Sequence, residues 1–391
     1  MVNASVRLAI FVPDLAAGGA QRSMIKLAGG LAERDYQVDL VLAHASGPFL
    51  AETPDTVRLV DLGAPRVLAS LPHLVDYLRR ERPAAMLSVL HANLVALWAR
   101  RLTGIPHRLV VSERNTLSSE VHAYAADVRM RLIPLLTRRC YPWADAVVAV
   151  SWGVAADLVR YAKLSPRQVR VIYNPIITPG LRMKAQESLA HPWFAPGAPP
   201  VTLAVGRLEA QKDFTTLIHA FALVRRSRPV RLLILGEGDE RTQLEATAQQ
   251  LGVQDDVGLP GFVPNPYPYM ARAGTYVLSS RWEGLPGVLI EALYCGAPLV
   301  STDCPSGPRE ILAGGRYGLL TPVGDAPKLA AAIDAALNGE APHASQESWQ
   351  PFELETVVNQ YEDALLGDLC GDGACVWTWP EPAPTEELYV H

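Results

Sequence analysis

Cysteine is scarce in this chain: Cys140, Cys295, Cys304, Cys370 and Cys375 are five residues among 391. An odd number without metal-ligand spacing in the folded region excludes a disulfide framework and fits a reducing compartment, with free thiols packed in the core. Only Cys370 and Cys375 close a short loop, CGDGAC, where a pair has the chemistry to oxidise or bind metal but has no histidine beside it. Long apolar runs are missing too. No stretch of about 18 uninterrupted apolar residues occurs, so a membrane-spanning helix is not expected. The opening MVNASVRLAIFVPDLAAGGAQR is broken by Asp14 and a Gly-Gly turn, which marks a first buried strand and not a secretory signal. The expected location is the cytoplasm, with attachment to the cytoplasmic face of a membrane left open.

Net charge is small, −5, but unevenly spread. Residues 1–175 hold 21 Lys+Arg against 14 Asp+Glu, a net of +7, and the remaining residues come to −12. A basic front half suits an anionic membrane or a phosphate-bearing ligand, at about 1 kcal/mol per well-placed cation near an anionic bilayer. A merely solvated face is the equal alternative. No nucleic-acid partner is expected.

What is present is an ordinary globular composition, 49% apolar and 19% charged, on a chain long enough for two cores of roughly 150 to 200 residues each. Strand-length apolar runs recur: VRLAIFV, VDLVLA, AAMLSVL, HRLVVS, AVVAVS and RVIYN, then TLAVG, RLLILG, TYVLSS and PLVST. Helical periodicity fills the intervals, as in DFTTLIHAFALVRRS, so the chain is read as α/β with parallel sheets covered on both faces. The pattern runs twice. Residues 1–175 form an N-terminal Rossmann-like domain, 176–200 a Pro-rich linker, and 201–350 a C-terminal Rossmann-like domain. Residues 351–366 are an amphipathic helix expected to return to the N-terminal domain, and 367–391 a loosely ordered acidic tail. Ligands of such sheets lie beyond the strands' carboxyl ends, which places function in the cleft between the domains.

Two segments carry chemistry. In SSRWEGLPGVLIEAL, Glu283 lies in a Gly/Pro turn, Gly284, Pro286 and Gly287 lead into a helix whose N-terminus favours an anion, and Glu291 follows about one turn inside. A carboxylate is a natural acceptor for two neighbouring sugar hydroxyls, so each Glu is suited to hold one sugar ring. In VGRLEAQKD, Arg207 and Lys212 follow a strand and offer fixed cations to a diphosphate that gains charge as its sugar departs. No Asp-x-Asp pair is present to bring a divalent ion to a nucleotide sugar, so no metal and no cofactor is expected.

Taken together these segments resemble the retaining, GT-B fold glycosyltransferases numbered family 4, in which an Arg-x4-Lys pair, a Gly-rich turn and a Glu-x7-Glu element recur in that order. The resemblance runs from GGAQR through VSWGVAADL, VIYNP, GRLEAQKD, LGEGDERTQL, GFVPN and EGLPGVLIEAL to CPSGPREIL, nearly the whole chain. It implies two doubly wound domains and a nucleotide-sugar donor, UDP-linked by family frequency. It further implies a hexose or N-acetylhexosamine passed to a saccharide or lipid-linked acceptor in polysaccharide or glycoconjugate assembly. Arg207 and Lys212 would bind the diphosphate, Glu291 the ribose and Glu283 the transferred sugar. Gly236, Phe262 and Val263 would line the base. Leu285, Pro286 and Gly287 would offer main-chain contacts, and Gly18 with Gly19 would close on the donor, although a tight turn needs the same glycines.

The acceptor side departs from that pattern: Ser112-Glu113-Arg114-Asn115 stands where many members carry a cleft-facing His. Glu113 is suited to orient or deprotonate an acceptor hydroxyl, and Arg114 with Asn115 to hold an acceptor phosphate; a loop salt bridge is the alternative. His91, after another strand, is a further candidate. The competing readings are an epimerase of the same fold and a non-catalytic sugar-nucleotide sensor, which turnover separates from a transferase.

Overall fold

The computed structural model describes residues 6–16, 18–123 and 128–367; the Cys370/Cys375 loop and the tail from 368 onward lie outside them. Seven strands form the first sheet: β1 (Arg7–Val12), β2 (Gln37–Leu42), β3 (Val57–Asp61), β4 (Ala85–Val89), β5 (Arg108–Glu113), β6 (Ala146–Ala149) and β7 (Val169–Val171). Six form the second: β8 (Val201–Val205), β9 (Arg231–Leu235), β10 (Val257–Gly261), β11 (Thr275–Leu278), β12 (Leu299–Thr302) and β13 (Leu319–Thr321). Every pairing is parallel, in the orders 3-2-1-4-5-6-7 and 10-9-8-11-12-13. In both sheets the order reverses at the first strand, β1 or β8, which opens a crevice at the carboxyl ends there. The strands are aliphatic and largely buried because helices cover both faces.

The last helix, Leu354–Leu366, packs on the front lobe: its Val357, Val358, Tyr361 and Leu365 share a core with Leu8, Ile10 and Val110. Close approach explains a glycine inside helix Gly19–Ala32, since a Cβ at Gly30 would lie 2.7 Å from Val358 Cγ2. The chain crosses between the lobes near Ile176 and again near Phe352. The two crossings are tied by Ile176 and Ile177 N–H, each donating to Phe352 O at 3.0 Å.

The lobes also meet through helix Trp152–Arg160. Ser151 Oγ lies 2.6 Å from Ser306 Oγ, and Glu310 Oε2 accepts from Trp152 N–H at 3.0 Å and Tyr173 OH at 3.3 Å. Loss of solvent at this contact pushes the Glu310 carboxyl up to about 7, its hydrogen bonds offsetting only part of the burial. A raised carboxyl pKa favours the neutral form, so its contribution to stability is full below the ordinary 4.5 and is lost as pH rises through about 7. Glu310→Gln cannot ionise. The stability of the variant relative to wild type should therefore climb by roughly 2–4 kcal/mol between pH 4 and 8. Scanning calorimetry of both proteins across that range checks it; a difference that stays flat or falls contradicts it.

Candidate active site

At the carboxyl ends of the second sheet, the loop after β8 carries Arg207 and Lys212. Lys212 lies along Gly206, where a Cβ would approach its Cε to 3.3 Å, and donates to Glu283 Oε1 at 2.5 Å. Ser280 Oγ donates to the same oxygen at 2.7 Å, and Ser279 Oγ holds the Lys212 carbonyl at 2.7 Å. The Lys212–Glu283 pair is largely buried, with side chains 14% and 8% exposed. Its value lies in placement more than in stability, because desolvation offsets most of the attraction inside a protein. Arg207 is different: its side chain is 56% exposed and paired with Glu209 at 2.8 Å.

Backbone geometry around this pair demands glycine. Gly236, after β9, has φ 150°, and a Cβ there would fall 1.8 Å from Gly206 O. Its N–H donates to Gly261 O at 2.9 Å, which sets Phe262 and Val263 alongside; Phe262 is an exposed aromatic and Val263 is partly buried. Gly284 meets the other lobe: a Cβ on it would lie 1.8 Å from Arg114 O. Leu285 is buried, Pro286 caps helix Gly287–Tyr294, and a Cβ on Gly287 would come within 3.0 Å of Ile176 Cδ1.

Glu291, on that helix, is buried and accepts from Tyr267 OH at 3.0 Å. Burial raises its pKa, opposed by the charge of Lys26, the Tyr267 hydrogen bond and the charge of Arg22. Lys26 Nζ donates to Ile176 O at 2.8 Å, and its own pKa is lowered by burial against the pull of Glu291. Sequence reasoning missed Tyr267, Lys26, Arg22 and Ser280. A signal existed for two of them: Arg22 and Lys26 stand four apart on the helix that Gly18 and Gly19 begin, so they share a face. A Cβ on Gly19 would meet open space, leaving that helix start accessible.

The front-lobe acceptor candidates scatter. Glu113 ends β5 and is buried, accepting from Tyr141 OH at 2.7 Å and from Arg114 N–H at 3.2 Å. The Arg114 guanidinium is also buried and directed into the lobe, bonded to Asn174 Oδ1, with Tyr361 OH at 3.3 Å and Met24 Sδ at 3.2 Å. It ties the C-terminal helix to the front lobe. Asn115 stays beside Gly284, its Oδ1 3.2 Å from where a Cβ would sit. His91 is exposed at the start of helix Ala92–Thr103.

This geometry has close counterparts. The family described as Glycosyltransferase Family 4 matches residues 17–178, and Glycosyl transferases group 1 matches residues 186–350. A Campylobacter jejuni protein is 32% identical over 81% of this chain and 86% of its own length. It is named N-acetylgalactosamine-N,N'-diacetylbacillosaminyl-diphospho-undecaprenol 4-alpha-N-acetylgalactosaminyltransferase. The lipopolysaccharide core biosynthesis glycosyltransferase LpsE of Rhizobium meliloti is 29% identical over 90% of this chain and 94% of its own. Anabaena HepE, solved with UDP and glucose, shares the fold at TM-score 0.74 and 22% identity, over 92% of this chain and 99% of that one. Two facing parallel sheets, a cation–carboxylate pair at the second sheet's crevice and matches across both halves have one explanation: the chain is a GT-B glycosyltransferase and belongs to family 4.

Proposed function

We propose that the chain transfers a hexose or N-acetylhexosamine, with retention, from a UDP-linked donor to a lipid-linked saccharide in polysaccharide or glycoconjugate assembly. The observation that carries this is Lys212 held against Glu283 beside the glycine turn 284–287, directly under the front lobe. Lys212 has three donors, so Glu283 fixes one while the others face a diphosphate. Arg207, on its exposed stem, adds a second cation. Glu283 then receives hydroxyls of the transferred sugar, Glu291 the ribose, and Gly236, Phe262 and Val263 the base. Leu285, Pro286 and Gly287 present main-chain groups, and Gly18 and Gly19 close from the front. The departing diphosphate takes the acceptor proton, and fixed cations do the work of a metal. Support for donor and acceptor comes from the UDP and glucose bound in HepE and from the diphospho-undecaprenol in the Campylobacter relative's name.

Peripheral membrane contact belongs to the same reading. No helix among the described residues is long and apolar enough to cross a bilayer. Helix Val128–Cys140, however, is amphipathic the wrong way round for a water-facing surface: Leu132, Leu135 and Leu136 are 53%, 62% and 41% exposed, while Thr137 and Cys140 are buried. Exposed Trp98 and Leu102 stand on the helix packed against it, and Arg138 and Arg139 flank the leucines. An apolar face edged by arginine suits an anionic interface.

A panel of UDP-, GDP- and ADP-sugars, with mass spectrometry of products on anionic vesicles carrying a diphospho-polyprenol saccharide, tests the proposal. A glycosylated lipid of retained anomeric configuration is expected from a UDP-sugar, and more than 10-fold less vesicle-bound protein when the three leucines become serine. Turnover without transfer, or none with any donor, refutes the function; salt-insensitive or leucine-independent binding refutes the membrane face.

A further inference from the structure

We infer that a cleft of about 450 Å³, walled by Ser118, Ser119 and His122 on the front lobe and by Arg281 and Trp282 on the second, receives the acceptor saccharide. The inference rests on the transferase reading above and replaces the buried Glu113 and Arg114 as the place where the acceptor is held.

Position comes first. Trp282 immediately precedes Glu283, and Trp282 and Arg281 are both strapped to the Lys212 loop. Gln211 Nε2 donates to Trp282 O at 2.9 Å, and Arg281 N–H donates to Gln211 O at 2.8 Å. The opposite wall, helix Leu117–Ala123, follows the Arg114 carbonyl that abuts Gly284. The cleft therefore lies next along the chain to the residue proposed to hold the transferred sugar, where residues of both lobes come together.

The lining has the chemistry of saccharide recognition. An indole offers a face to the C–H side of a pyranose, while hydroxyl, imidazole and guanidinium groups match its hydroxyls. Two of the groups are already oriented. Arg281 is held by Asp213, Nε to Oδ2 at 3.1 Å and Nη2 to Oδ1 at 3.3 Å. Asp213 is itself fixed as the cap of helix Phe214–Ser227, accepting from Thr216 Oγ1 at 2.9 Å. His122 Nδ1 lies 3.0 Å from Ser118 O; a carbonyl only accepts, so Nδ1 carries the hydrogen, and Nε2 is the ring nitrogen left for a hydroxyl. Helix Leu117–Ala123 also packs against the leucine-faced helix Val128–Cys140, which connects this wall to the face proposed to meet a membrane.

Saturation-transfer NMR tests the site without requiring turnover. Wild type, His122→Ala, Trp282→Ala and the cleft-filling Ser119→Trp are each mixed with UDP and with methyl glycosides of N-acetylgalactosamine, galactose and glucose. At least one glycoside is expected to give a signal with wild type that falls more than five-fold in all three variants while the UDP signal persists. Undiminished glycoside signals in the variants, or none with wild type, overturn the inference. Loss of the UDP signal in wild type itself instead strikes the donor reading on which it rests.

Discussion

Lys212→Ala is expected to lower transfer at least 100-fold in kcat while the protein stays folded. The ammonium is held within 2.5 Å of Glu283 by a loop whose carbonyl Ser279 fixes, so it stands ready before any charge develops on the leaving diphosphate. A preorganised contact of this kind contributes about 2.7–4 kcal/mol when it acts on the transition state, which is about 100- to 1,000-fold in rate. Donor KM should change far less, because the attraction grows as the bond breaks. Glu283→Gln separates charge from shape, since the amide still accepts from Ser280. It should slow transfer, and like Lys212→Ala it should cost some melting temperature, because each change leaves one member of a largely buried pair without its counter-charge. Lys212→Arg keeps the charge but replaces a compact ammonium by a planar fork, so its rate reports how far the contact depends on geometry beyond charge. Steady-state kinetics on the three variants, with circular dichroism for folding, decide the matter. Near-wild-type kcat in Lys212→Ala would remove the cation from the chemistry.

The architecture was legible because strands buried on both faces appear as unbroken aliphatic runs. VRLAIFV contains β1, TLAVG contains β8, and two series of such runs give two sheets. The Lys212 and Glu283 segments were legible because each is a short, dense local pattern. What escaped was whatever depends on residues distant in sequence. Arg114 read as a holder of an acceptor phosphate or half of a loop salt bridge, yet its partners are Asn174 and Tyr361, the latter 247 positions away on a helix that returns from the far lobe. Tyr267 reaches Glu291 from a helix 24 positions away in the second lobe, and the charge of Lys26 acts on Glu291 only once the two lobes come together. The leucine-faced helix was hidden differently: Pro134 lies inside it, and a proline in RLIPLLTRRC argues against a helix until the fold supplies the missing contacts.

Gly284→Ala should be as damaging as loss of Lys212, for a purely steric reason. Its Cβ would fall 1.8 Å from the Arg114 carbonyl, where even a tight contact needs about 3 Å, and neither side can yield locally. Arg114 is anchored through its buried guanidinium, and Gly284 O is held by Ser306 Oγ at 2.7 Å. Separation of the lobes by about 1 Å is the cheapest relief, and misplacement on that scale costs about 100-fold when two substrates are held by different lobes. Each lobe has a core of its own, but a further apolar cluster runs through both, so the melting temperature should fall along with transfer while both lobes stay folded. UDP affinity, measured by calorimetry, should stay within about ten-fold, because its proposed contacts lie mostly on the second lobe. A variant that binds UDP but has lost transfer would show that catalysis needs the lobes to touch at this residue. One that transfers at the wild-type rate would show that the reaction proceeds with the lobes further apart, and would move the acceptor wall at Ser118 to His122 away from Trp282 as well.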